Sequence, residues 1–194
     1  LYPLDRFCQE NYTAAEESQE EFTIICRKDH DNVSEINFVD QTIRDAQQSL
    51  WGFRMRSDMI LPIAPIMDRV GFKAIGTIGP RGFNVAIRLF HEDPWERIRF
   101  LSEAIQRTPL RTSVTATSVA SFGIESVELN ALWIKRCVAN GIRSLWFCDY
   151  QTVMDRTSYL AKVAKAEGAE VVMGLMYTDS PVHTDEFFAQ NTRK

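Results

Sequence analysis

Five short apolar runs, at residues 36–39, 72–78, 110–116, 143–148 and 170–177, are separated by stretches with helical patterning. This alternation constrains the chain more than any other feature. Ser57 stands where it would cap a helix over 58–70, which Gly71 would end. Asp93 precedes Pro94 at the start of a helix running to Gln106. Further helices are expected over 127–140, ending at Gly141, and over 155–167, ending at Gly168, with a last one starting near Thr184. Strands joined by single helices imply right-handed crossovers and a parallel sheet. The runs are almost continuously apolar, which predicts strands buried on both faces. The expected fold class is therefore α/β.

Composition narrows the class. The chain has 194 residues, 45% of them hydrophobic and 25% charged, the proportions of an ordinary globular domain. A net charge of −4 gives no reason to expect nucleic acid. No segment reads as a signal peptide or membrane span. Cys8, Cys26, Cys137 and Cys148 are scattered without CxxC spacing, which argues for reduced thiols in a cytoplasmic protein. Residues 1–35 hold nine acidic and three basic side chains, a net −6 that leaves +2 for the remainder. We read 1–35 as an acidic extension of unreadable role, with a possible strand at 22–26 and a turn at 29–32.

Chemistry concentrates after the first run. Ile36-Asn37-Phe38-Val39 leads into Asp40-Gln41-Thr42-Ile43-Arg44-Asp45-Ala46-Gln47-Gln48-Ser49, read as a polar loop. Arginine can grip a carboxylate with two parallel hydrogen bonds, and a neighbouring aspartate can hold a divalent metal. The bland alternative is a surface salt bridge. Three more segments stand out: Asp68-Arg69-Val70-Gly71-Phe72, Glu92-Asp93-Pro94-Trp95-Glu96-Arg97, and Tyr177-Thr178 through Ser180-Pro181-Val182-His183-Thr184. Together the four resemble the carboxyltransferase domain of biotin-dependent enzymes, as in pyruvate carboxylase and the oxaloacetate decarboxylase alpha subunit. That domain is a metal-dependent TIM barrel of the HMG-CoA-lyase-like group.

The resemblance carries several implications. Residues 36–194 would be the N-terminal part of a (β/α) barrel, apparently truncated after about five parallel βα units, since a closed barrel takes eight strands in roughly 250 residues. Alternatively, a second copy or another chain would complete the sheet. Arg44 and Gln48 would be catalytic and grip the substrate or biotin. Asp45 would bind a divalent metal (Mn, Zn, Co or Mg), with the remaining ligands on strands this chain does not contain. Gly76, Thr115 and Phe122 stand where the family has glutamate, arginine and tyrosine, which puts ordinary pyruvate carboxylation in question. Thr115 and Asp149 would still line the substrate site. Arg81, in a flexible turn at Gly79-Pro80-Arg81-Gly82, could restore the lost positive charge. Biotin would arrive on a biotinyl carrier domain, beside a biotin carboxylase subunit or domain and in a homo-oligomer, to exchange a carboxyl group with a 2-oxo acid or to decarboxylate oxaloacetate. Two other readings stay open: a metal-dependent lyase or aldolase without biotin, and a non-catalytic subunit. The four tryptophans and Cys148 are expected to be packing residues, and His183 to mark a helix start.

Overall fold

The structure, a computed structural model, describes residues 36–119, 123–148 and 154–193. The expected strand and turn within 1–35 lie outside the described residues, as do Phe122 and Asp149. Phe38–Lys194 form one compact unit.

Five parallel strands make a single sheet in the order β1-β2-β3-β4-β5. They are β1 (Val39–Asp40), β2 (Ala74–Gly76), β3 (Leu110–Val114), β4 (Ser144–Cys148) and β5 (Glu170–Gly174). Each strand pairs with the next along the chain, with Val39 opposite Ala74, Ile75 opposite Leu110, Arg111 opposite Ser144, and Ser144 opposite Glu170. Sequential order with right-handed crossovers puts the helices on one face, as in a barrel and unlike a doubly wound sheet.

The helices are α1 (Gln47–Trp51), α2 (Ser57–Ile60), α3 (Ala64–Arg69), α4 (Pro80–Val85), α5 (Pro94–Ala104), α6 (Val127–Ala139), α7 (Met154–Ala166) and α8 (Asp185–Arg193). Asp93 caps α5 by accepting from the Trp95 N–H at 2.9 Å, as expected. Gly71 and Gly168 take positive φ after α3 and α7, where a side chain would be strained.

Several expectations are corrected. The helix over 58–70 is two short helices, because Pro62 and Pro65 lack the N–H that an unbroken ladder needs. Ser57 does not cap it: the cap position is Arg56, and the Ser57 hydroxyl instead donates to Glu92 at 2.7 Å. The polar loop after β1 is a π-helical turn, Thr42–Ala46, running into α1. The flexible turn at 79–82 is the start of α4, with Pro80 in its first turn. The fifth strand ends at Gly174, so Tyr177 lies beyond it and is 80% exposed.

Burial on both faces holds for β2, β3 and β4, whose residues are buried or half-buried throughout, and is lost at β5, where Glu170 and Met173 are exposed. Successive strand residues point to opposite faces. Ile75, Leu110, Val114, Leu145 and Phe147 pack under the helices in the core. In that layer Phe83 meets the rings of Trp95 at 4.7 Å and Trp133 at 5.5 Å, both edge-on. The other, inner face is polar. Arg111 Nε donates to Ser144 Oγ at 2.8 Å, and the Ser144 hydroxyl donates to Glu170 at 2.6 Å. The Ser144 hydroxyl is the main group holding the Glu170 carboxyl below its ordinary range; burial opposes it, and Arg111 adds to the lowering. A hydrogen-bonded polar ladder was masked in the sequence by the apolar residues alternating with it.

Candidate functional site

Backbone geometry after β1 builds the site. Asp40 accepts from the Thr42 N–H at 3.0 Å and the Thr42 hydroxyl at 2.8 Å, closing a tight turn. The Gln41 carbonyl then accepts from the N–H groups of Arg44, Asp45 and Ala46 at 3.2, 2.8 and 3.0 Å. That widened turn is the π-helical segment, a geometry frequent at functional sites. Asp40 and Thr42 thus build the turn, and Arg44 and Asp45 are what it presents.

Arg44 is largely buried, with 14% of its side chain exposed, whereas Asp45 is 51% exposed. The two form an ion pair through Arg44 NH1. Arg44 NH2 donates to the Ser113 hydroxyl at 3.3 Å. The guanidinium also lies over the Trp146 ring, 5.7 Å from its centroid, within cation–π range. Ser113 and Trp146 are register partners on β3 and β4. Room for this comes from Gly79: a Cβ there would lie 2.9 Å from Ser113 Oγ and 3.9 Å from Arg44 Nε.

The other expected residues are placed less tightly. Gln48 is half-buried on α1, four residues beyond Arg44. Arg81 is half-buried in the first turn of α4. Thr115 is buried at the end of β3, and its hydroxyl donates to the Ser118 carbonyl at 2.7 Å. Asp149 lies outside the described residues. Trp51 is not a packing residue, being 53% exposed, and Trp146 belongs to the site. Cys148 is buried, as expected of a small hydrophobe. His183 precedes α8, with Ser180 Oγ 2.6 Å from its Nδ1 and Phe187 4.9 Å from its ring centre. Sequence reasoning missed Ser113 and Trp146 as partners of Arg44. The available signal was their alternation with core residues at the ends of their strands.

The metal expectation can be tested on the donor set. Asp45 is already paired with Arg44, and among the described residues no three His, Cys, Asp or Glu side chains converge. One carboxylate does not hold a divalent ion against water. The described residues do not by themselves make a metal centre.

Two of the four motif segments hold the fold. The Asp68 carboxylate accepts from the N–H groups of Gln106, Arg107 and Thr108 at 2.9, 3.1 and 2.8 Å, pinning the chain before β3. Burial raises its pKa, but these three donors and the Thr108 hydroxyl together outweigh burial and hold the carboxyl below its ordinary value. Glu92 pairs with Arg97, and Arg97 Nε reaches the Ser57 hydroxyl at 2.9 Å. Burial again opposes ionisation of Glu92, and Arg97 and Ser57 together overcome it.

Sequentially ordered parallel strands, with an arginine clamp after the first of them, define a segment of the (β/α)-barrel type. No family model matches the chain. A pyruvate carboxylase subunit of Methanocaldococcus jannaschii is 36% identical over 159 residues, covering 82% of this chain and 28% of that protein. The 2-oxoglutarate carboxylase large subunit of Hydrogenobacter thermophilus is 32% identical over 149 residues, covering 77% of this chain and 23% of that protein. The carboxyl transferase domain of Rhizobium etli pyruvate carboxylase, solved with pyruvate and biocytin, matches in fold with a TM-score of 0.76 at 19% identity, over 84% of this chain and 29% of that one. Over most of its length, the chain belongs with the carboxyltransferases of the pyruvate carboxylase kind. It spans less than a third of the length of these relatives.

Proposed function

We propose that residues 36–194 supply one side of a biotin-dependent carboxyltransferase site, in which a carboxyl group passes between carboxybiotin and a 2-oxo acid such as pyruvate. The observation that carries this is the clamp. Arg44 is held from three sides by Asp45, Ser113 and Trp146, so its guanidinium is oriented before any ligand arrives. A fixed cation in a partly dried site stabilises the carboxylate of a keto acid and the negative charge that develops on its carbonyl oxygen. Gln48, one turn further on, would bind the same ligand. Thr115 would offer its methyl group to the wall, its hydroxyl being engaged with Ser118. Arg81 and Asp149 would complete the rim. Asp45 would contribute one oxygen to a divalent metal whose other ligands lie outside the described residues. Biotin, when bound, supplies the nitrogen that carries the carboxyl group.

The relatives named above are carboxylases, which favours carboxyl transfer over a lyase, an aldolase or a non-catalytic role. Their naming as subunits supports assembly with partner subunits, which would bring a biotinyl carrier domain and a biotin carboxylase subunit or domain; a homo-oligomer would add further copies of this chain. Running the same site in reverse would decarboxylate oxaloacetate. No described helix is long and apolar enough to cross a membrane. The buried thiols of Cys137 and Cys148 favour a reaction in the reducing cytoplasm.

The test is kinetic. In the complete enzyme, Arg44→Ala should lower kcat/KM for the 2-oxo acid about 100- to 1,000-fold, the usual effect of removing a charge-stabilising donor, with little change in thermal unfolding. Unchanged kinetics would refute the assignment.

A further inference from the structure

The inner face contains a second device, at Gln41 and Gly76. A Cβ placed on Gly76 would lie 2.5 Å from Gln41 Oε1 and 2.9 Å from its Cδ and Nε2. The Gln41 amide therefore occupies the space that any side chain at 76 would need. No described residue explains its position by bonding: Gln41 Oε1 is buried and has no hydrogen-bond partner among the described residues. An unpaired buried acceptor is costly to maintain.

Register locates the device. Gly76 is opposite Arg111, and Arg111 lies two residues before Ser113 on the same face of β3. The amide therefore sits about 7 Å below the level at which Ser113 meets Arg44, one pleat repeat down the strand. Gln41 is also the residue whose carbonyl anchors the turn bearing Arg44 and Asp45.

We propose that Gln41 is a specificity-determining residue that sets the depth of the site beneath Arg44, and that Gly76 is its required partner. This rests on the reading that Arg44 grips a 2-oxo acid. The amide forms the floor, and glycine at 76 lets it lie flat against β2. A longer acid meets the amide. A side chain at 76 lifts the amide toward Ser113 and shortens the site further.

The experiment measures kcat/KM for pyruvate and for 2-oxobutyrate, one carbon longer, in the complete enzyme and three variants: Gln41→Ala, Gly76→Ala and the double change. Thermal unfolding is followed in parallel. Gln41→Ala should move the ratio toward 2-oxobutyrate by about tenfold or more, since one methylene in a fitted pocket is worth about 10- to 200-fold. Gly76→Ala should move the ratio toward pyruvate while changing stability little, because the group it displaces is the free end of a flexible side chain. Added to Gln41→Ala, the same change should have no further effect on the ratio. An unchanged ratio in Gln41→Ala, or a Gly76→Ala effect of equal size in both backgrounds, would overturn the proposal while leaving carboxyl transfer standing. An unmodified enzyme that takes only a longer acid such as 2-oxoglutarate would overturn the depth limit alone, whereas one that carboxylates no 2-oxo acid would fail the carboxyl-transfer reading and take the depth limit with it.

Discussion

Arg44 with Asp45 and Arg97 with Glu92 are the same chemical pair in two different settings. Arg97 is only 5% exposed, and its partner carboxylate also binds the Ser57 hydroxyl and backbone N–H. That pair ties the start of α2 to the start of α5. Arg44 is also largely buried, but Asp45 is half-exposed and the third contact is a single long hydrogen bond to Ser113. A closed network is suited to holding helices in place. An open one, facing the end of the sheet, is suited to receiving a ligand. The difference lies in satisfaction and exposure, not in residue type.

Breaking the closed network should have the largest effect on stability. Arg97→Ala leaves the Glu92 carboxylate without its counter-charge, and removing one partner of a buried pair costs about 3–5 kcal/mol. Denaturant unfolding should show that loss. The matching change at Arg44 should appear mainly in kinetics, as set out above. Equal stability losses at the two positions would erase the distinction between them.

Asp68 sharpens the comparison through pH. Three backbone donors depend on its carboxylate, so Asp68→Ala should cost about 2–3 kcal/mol, the penalty for leaving buried donors unpaired. The folded values of Asp68 and Glu92 both lie below the ordinary carboxylate range. Their stabilisation is therefore complete above about pH 4 and is lost as the pH falls through the lowered values. Asp68→Asn should flatten the acid side of a plot of stability against pH. An unchanged acid limb would show that Asp68 titrates no differently when folded.

How much of this was legible in the sequence depended on distance along the chain. The parallel order followed from local patterning, because each strand and helix carries its own signal. The turn at Thr42–Ala46 was not legible, since Gln41-Thr42-Ile43-Arg44-Asp45 is polar enough to read as loop and the bonds that make it helical converge on one backbone carbonyl. Gly79-Pro80-Arg81-Gly82 reads as a flexible turn, although proline also starts helices. Arg44 and Asp45 were legible as adjacent charges. Ser113, 69 residues away, was not legible as their partner. The motifs at Asp68 and Glu92 marked kinship correctly but could not say whether they served chemistry or folding. That required seeing which donors each carboxylate satisfies.

Trp146 gives the smallest effect and the finest discrimination. Its ring lies under the Arg44 guanidinium, and the residue is half-buried. Its indole Nε1 would be 2.8 Å from a Cβ on Gly174, so β5 accommodates the ring as Gly79 accommodates Ser113. Trp146→Leu keeps apolar bulk but removes the face that attracts a cation, an interaction of about 0.5–2 kcal/mol. If the ring only fills space, KM for the 2-oxo acid should not move. If it orients Arg44 for the ligand, KM should rise about 2- to 30-fold, that energy expressed as a binding ratio. The decisive control is Trp146→Phe, which restores an aromatic face and should recover most of the loss. A rise in KM that phenylalanine does not rescue would show that the shape of the indole, not an aromatic face under the cation, matters here, and would leave Asp45 and Ser113 as the groups that hold Arg44.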